Sequence, residues 1–292
     1  MPSEKGAPGH PFSSAAATVF ECGRFSLSLA RPLVMGIVNV TADSFSDGGK
    51  FLEPQAAIAA VHRLVADGAD IIDIGAESTR PRALPMPEDL EWQRLAPVLD
   101  GLASLPCPVS VDTRHPSVMR RAIGAGASII NDVEGFCRPG AIDAVAGSDV
   151  GLVAMHMKGE PVTMQDSPAY DDVVAEVHEF LERRRDLLQS HGVGCRRIAL
   201  DPGFGFGKSL AHNMELLRGL GCLVDLGCAV LVGLSRKSMV GELTRLPVDR
   251  RLGSSISAAL AAVARGARIV RVHDVAETVG ALRVWQAVAR PE

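Results

Sequence analysis

Short apolar runs recur along the chain, separated by longer stretches in which apolar residues repeat at helical spacing. The runs cover 33–38, 70–74, 109–111, 128–130, 151–154, 197–200, 229–232 and 268–270, rich in Val, Ile, Leu or Ala as buried strands require. A helix is predicted over 54–67, with Ile58, Val61, Leu64 and Val65 on one side and Gly68 as its stop. Further helices are predicted over 88–103, 170–191, 255–265 and 275–288, and Pro116 suits the first turn of another. Ahead of the first strand, 19–30 reads as a small hairpin or lid. Residues 1–18, rich in Pro, Gly, Ser and Ala, read as a disordered tail.

Eight strand-like runs, each followed by a helical one, point to parallel strands in an α/β fold, most economically a single (β/α)8 TIM barrel over 19–292. A doubly wound open sheet would use the same alternation. In a barrel the active site lies at the C-terminal ends of the strands. The residues there are Asn39, Thr79, Arg80, Asp112, Asn131, His156, Asp201, Lys237, Arg271 and His273. The first run spills into a polar segment, Asn39 to Gly49, that a plain surface turn would also favour.

Composition narrows the function classes. Hydrophobic residues make up 47% and aromatic residues only 4%, so the core must be filled by Ala, Val, Leu and Ile. A net charge of −4 with both signs intermixed argues against a general nucleic-acid surface. No apolar run reaches the ~18 residues of a membrane span, and the first residues lack the basic and apolar regions of a signal peptide. The six cysteines show no C-x-x-C pair, which argues against zinc and reads as reduced thiols of a cytosolic protein.

The polar strand ends suit a flat polar ring and an anion. Asp112, Asn131 and Asp201 offer carboxylates and an amide that can read the N–H edge of a nitrogen heterocycle, although an Asp at a strand end also caps helices. Arg271 and His273 alternate, so period 2 sends both to one face, and beside Asn39 they would make a phosphate site. The segment Asp201-Pro-Gly-Phe-Gly-Phe-Gly-Lys208 is no P-loop, because Pro202 stands where that pattern needs Gly. Its glycines would instead let the backbone hold Phe204 and Phe206 beside a flat ligand. Ser235-Arg-Lys-Ser238 precedes a possible helical turn whose N–H groups could hold a carboxylate. No serine-hydrolase elbow and no H-E-x-x-H is present.

Eight ordered motifs resemble those of the dihydropteroate synthase family. They are 35–49, Asp73-Ile-Gly-Ala-Glu-Ser-Thr-Arg-Pro81, Ser110-Val-Asp-Thr113, Ile130-Asn-Asp132, Met155-His-Met157, the 201–208 loop, Ser235-Arg-Lys-Ser238 and Arg271-Val-His-Asp274. The resemblance implies condensation of 6-hydroxymethyl-7,8-dihydropterin pyrophosphate with p-aminobenzoate in folate biosynthesis. It implies that Asp112, Asn131, Asp201 and Lys237 bind the pterin, with Arg271 stacked on it. Asn39, Arg271 and His273 would hold the pyrophosphate, with Mg2+ at Asn39. Phe45, Thr79, Arg80, Phe206, Lys237 and Ser238 would line the p-aminobenzoate pocket. Asp43, Lys237, Arg271 and His273 would be the catalytic groups, and the family implies a cytoplasmic homodimer and sensitivity to sulfonamides.

Two positions depart from the family pattern. Ala42 replaces a usual Pro, which frees a backbone dihedral, and Arg82 stands where Gly is usual. The competing readings are a methyltetrahydrofolate-type pterin methyltransferase, which would not be expected to pair Phe-Gly-Phe-Gly-Lys with Ser-Arg-Lys-Ser, and a pterin-binding paralogue without turnover.

Overall fold

Side chains on a strand alternate between its two sides, and in this chain the two sides are buried against different partners. The computed structural model describes residues 17–40, 49–78 and 83–289, with backbone alone for 49–53. An antiparallel hairpin of β1 (Val19–Cys22) and β2 (Phe25–Ser28) comes first. Eight parallel strands follow: β3 (Leu33–Asn39), β4 (Ile71–Gly75), β5 (Val109–Asp112), β6 (Ile129–Asp132), β7 (Gly151–Met155), β8 (Ile198–Asp201), β9 (Ala229–Gly233) and β10 (Ile269–Val272). They close into a barrel, because β10 pairs with β3 from Ile269↔Leu33 to Val272↔Gly36. Closure excludes the open sheet.

The helices between them are α1 (Gly49–Ala66), α2 (Glu88–Gly101), α3 (Pro116–Gly124), α4 (Ala141–Val145) and α5 (Val173–Ser190). The last four are α6 (Leu210–Arg218), α7 (Ser238–Thr244), α8 (Leu252–Val263) and α9 (Val275–Ala289). Pro116 is the first residue of α3, and Gly68 adopts φ +100° just after α1, as a helix stop should. The sequence pattern does not announce α4 or α6. The first is only five residues long, and the second owes its start to a capping box between Ser209 and His212.

One set of alternating residues fills the barrel. Leu33, Met35, Ile71, Ile129, Val153, Ala199, Ala229, Leu231 and Ile269 form an apolar cluster that also takes in Phe20, Cys22 and Leu29 of the hairpin segment. The other set, with Val34, Ile72, Val111, Ile130, Leu152, Leu200, Val230 and Val270, packs against the helices. The 19–30 segment is therefore a plug at the N-terminal end of the barrel. Gly151 makes this possible: a Cβ there would stand 2.8 Å from both Phe20 Cζ and Cys22 Cβ. The inward set turns polar towards the other end, where Asp73 follows Ile71, Asn131 follows Ile129, Asp201 follows Ala199 and Arg271 follows Ile269.

Cys195 and Cys228 are joined in a disulfide, with Cα atoms 5.4 Å apart. This corrects the reading of all six cysteines as reduced thiols. The two are 33 positions apart in sequence, but each lies just before one of the neighbouring strands β8 and β9, whose pairing brings them together. Cys22, Cys107, Cys137 and Cys222 are free.

The plug can be tested directly. Phe20 is fully buried, and Phe20→Ala is expected to lower stability by about 3–5 kcal/mol in urea unfolding. A change below about 1 kcal/mol would mean that the hairpin does not seal the barrel.

Candidate active site

The polar half of the barrel interior is built from residues that a strand pattern aims inward. Asp73, fully buried in β4, accepts from Arg271 Nε at 2.6 Å, and Asp112 accepts from Arg271 Nη2 at 2.8 Å. Asn131 Nδ2 approaches the same Asp73 Oδ2 at 3.4 Å. Two carboxylates thus fix the plane of the Arg271 guanidinium. Burial works against charge on Arg271, but Asp73 and Asp112 outweigh it and hold the group firmly charged. Burial likewise pushes the Asp112 carboxyl up to about 8, with Arg271 pulling it down and Asp73 pushing it further up.

Asp201 closes the far side of the ring of groups. Its Oδ1 accepts from Gly203 N at 2.7 Å, and burial raises its pKa against the opposing pull of Lys237. Lys237 is half-buried just before α7, donates to the Phe204 carbonyl and lies 4.4 Å above the Phe206 ring. Burial lowers its pKa to about 8, while Asp201 works to raise it. His273 follows β10, and its Nδ1 lies 3.1 Å from Ser235 Oγ. Arg236, in a left-handed conformation at φ +59°, forms an ion pair with Asp274 and so ties the β9 loop to the β10 loop.

Asn39 is half-buried at the end of β3, and Ser238 is exposed as the first residue of α7. Asp43, Phe45, Thr79 and Arg80 lie outside the described residues, as do Ala42 and Arg82. The neck of the segment holding Thr79 and Arg80 is described. Glu77 Oε1 accepts from Met86 N at 3.0 Å and from Arg114 Nη2 at 2.7 Å, so one carboxylate holds both ends.

Several expectations change. The helix-capping alternative for Asp112, Asn131 and Asp201 does not hold: the caps before α3, α4 and α6 are His115, Gly140 and Ser209. Phe204 is fully buried in the core between barrel and helices, so only Phe206 of the two is placed to meet a ligand. His156 is buried against Lys208 and the edge of Phe180, away from the mouth. Asp73 was missed as a site residue. Its signal is a carboxylate in the middle of Ile-Ile-Asp-Ile-Gly, in register with the inward Ile71.

The chain matches the pterin binding enzyme family over residues 35–273. It is 47% identical over 278 residues to the dihydropteroate synthase of Neisseria meningitidis serogroup C, covering 94% of this chain and 98% of that protein. The chain belongs to the dihydropteroate synthase family. The structure of the Xanthomonas albilineans dihydropteroate synthase with 4-aminobenzoic acid superposes with a TM-score of 0.89 at 51% identity, covering 94% of this chain and all (100%) of that one. The same enzyme in complex with 7,8-dihydropteroate gives 0.86 at 49% identity, with coverage of 94% and 100%. The chain is a (β/α)8 barrel, and the candidate site stands at the C-terminal ends of its strands.

Removing one partner of a buried ion pair leaves the other charge uncompensated. Asp73→Asn is expected to cost about 3 kcal/mol in urea unfolding, the low end for such a change because Asp112 still pairs with Arg271. Unchanged stability would mean that Asp112 alone carries the guanidinium.

Proposed function

We propose that this protein condenses 6-hydroxymethyl-7,8-dihydropterin pyrophosphate with p-aminobenzoate, giving 7,8-dihydropteroate and pyrophosphate. The observation that carries this reading is the inward cluster of Asp112, Asn131, Asp201, Lys237 and Arg271, which offers acceptors and donors to a flat heterocycle. Asp112 and Asp201 accept from the ring N–H and amine groups of the pterin, and Asn131 and Lys237 complete its edge. The guanidinium of Arg271, fixed by Asp73 and Asp112, lies against the ring. Its Nη1, which neither carboxylate takes, faces the diphosphate together with Asn39 and His273.

The bond between the pterin methylene and the diphosphate oxygen breaks as Arg271 and His273 stabilise the charge on the leaving group. The ring delocalises the resulting cation, with Asp43 as a further anionic partner. The amine nitrogen of p-aminobenzoate then bonds to the methylene carbon and releases a proton. Phe206, Lys237 and Ser238 form the described part of the arylamine pocket, which Phe45, Thr79 and Arg80 complete. No activated nucleophile is needed, in keeping with the inventory of groups.

Among the described residues no three His, Cys, Asp or Glu side chains are grouped to hold a metal. Asn39 supplies one neutral oxygen donor, which suits Mg2+ carried mainly by the diphosphate and fits poorly with a cage of protein ligands. Such an ion would neutralise charge on the leaving group. Homodimerisation is part of this proposal and rests on the family to which the chain belongs. A cytoplasmic location is part of the same proposal. Among the described residues no helix is long and apolar enough to cross a membrane.

The decisive experiment supplies the pterin pyrophosphate and Mg2+ with or without p-aminobenzoate. Formation of pyrophosphate and dihydropteroate that depends on p-aminobenzoate is expected, with a sulfonamide competing against the arylamine alone. Pterin binding without product would overturn the assignment in favour of a paralogue that only binds. A second measurement uses Lys237, which is charged below about pH 8 and loses its proton above it. The KM for p-aminobenzoate should therefore rise as pH passes through that value, and Lys237→Arg, which stays charged, should remove the rise. A KM that is flat across this range in the wild type would count against Lys237 as part of the arylamine pocket.

A further inference from the structure

The loop between β8 and α6 has an unusual accounting of backbone hydrogen bonds. Each carbonyl from Gly203 to Lys208 is taken by a side chain. Lys208 Nζ donates to Gly203 O at 3.0 Å and to Phe206 O at 3.1 Å, and Lys237 donates to Phe204 O. Gln165 donates to Gly205 O, Tyr170 to Gly207 O at 3.0 Å, and Asn213 to Lys208 O at 3.2 Å. Gly203 and Gly207 adopt φ of +66° and +64°, and a Cβ on them would fall 1.9 Å from His156 O and 2.1 Å from Lys158 O. The loop is thus pressed backbone to backbone on the segment that follows β7.

Lys208 is the centre of this arrangement. It is 2% exposed, and no carboxylate is among its hydrogen-bond partners. Its third short partner is His156 Nδ1 at 2.9 Å, so three acceptors surround Nζ, and burial pushes the Lys208 pKa well below its usual value. His156 can accept because burial and the nearby Lys208 lower its pKa to about 3 and leave it neutral. Its ring is held edge-on by Phe180, with centroids 4.9 Å apart. Burying an ammonium without a counter-ion is costly. The two carbonyls that Lys208 grips flank Phe204, whose own carbonyl receives Lys237, and one of them belongs to Phe206, the ring under Lys237.

We propose that Lys208, latched by His156, is a positioning residue that holds the Phe206 ring and the Lys237 ammonium in the geometry that receives the arylamine, while Asp112, Asn131 and Arg271 on the pterin side are held by other elements. This rests on the functional reading above. Asp112, Asn131 and Arg271 come from β5, β6 and β10 and are not among the hydrogen-bond partners of Lys208, whereas Asp201 and Lys237 are bonded to the loop itself. The two substrates should therefore respond differently to loss of the latch.

The test compares Lys208→Met, which keeps the length and removes the charge, with His156→Phe and His156→Asn. The Phe variant keeps ring packing on Phe180 but removes the acceptor, and the Asn variant keeps an acceptor. Steady-state KM for p-aminobenzoate and calorimetric Kd for the pterin pyrophosphate are measured for each. Lys208→Met and His156→Phe are expected to raise the arylamine KM by about tenfold or more with a clearly smaller change in pterin Kd, since Asp112, Asn131 and Arg271 keep their places, and His156→Asn should stay near wild type. Equal effects on both substrates, or none, would overturn the proposal. Should Lys208→Met not fold, the two His156 variants decide alone, and equal arylamine KM values in them would overturn it. Absence of turnover in the wild type would refute the functional reading and this inference with it, whereas turnover without the split refutes the inference alone.

Discussion

Arg271 sits inside the barrel between Asp73 and Asp112, and the rest of the site is arranged around that pairing. A guanidinium cannot be taken out of water without acceptors, and carboxylates cannot be crowded together without a cation among them. Asp73, Asp112 and Asp201 share the upper barrel with Arg271 and Lys237, so burial and neighbouring charges oppose each other there: Arg271 is held charged, while burial raises the pKa of Asp112 and Asp201 and lowers that of Lys237. The same low dielectric that makes the cluster costly gives it force on a ligand. In the proposed reaction, a flat ring with N–H donors and a charged tail would meet donors and acceptors already gathered to receive it.

That cluster can exist because the barrel divides its interior along the strand axis. Below, apolar residues and the Phe20–Cys22 plug exclude water and hold the strands in register. Above, the same inward positions carry charge. The plug and the site are two ends of one alternation. Gly151, which admits the hairpin, does its work at the opposite end from the chemistry.

The loop after β8 shows a second principle. A segment of alternating glycines has few side chains of its own to pack, and it is held because its own terminal lysine and side chains from other elements satisfy its carbonyls. Lys208, Lys237, Gln165, Tyr170 and Asn213 do this from four parts of the chain, and the result is a fixed seat for Phe206. The Glu77 carboxylate, holding Met86 N–H and Arg114 together, braces the neck of the β4 loop in a comparable way.

Local periodicity was enough to read the eight strands, most of the helices and the place of Asp112, Asn131, Asp201 and Arg271 at strand ends, because the repeat of apolar residues is set by the backbone alone. The motif order was enough for the family. What the chain could not announce was anything that depends on contact across the fold. That includes Asp73 as the anchor of Arg271, 198 positions away, and the meeting of Cys195 with Cys228. It also includes the division of labour between Phe204 and Phe206, neighbours in one motif that end in the core and in the site respectively. Those outcomes turn on which groups barrel closure brings within a few ångströms of each other, and burial then decides which charges persist there.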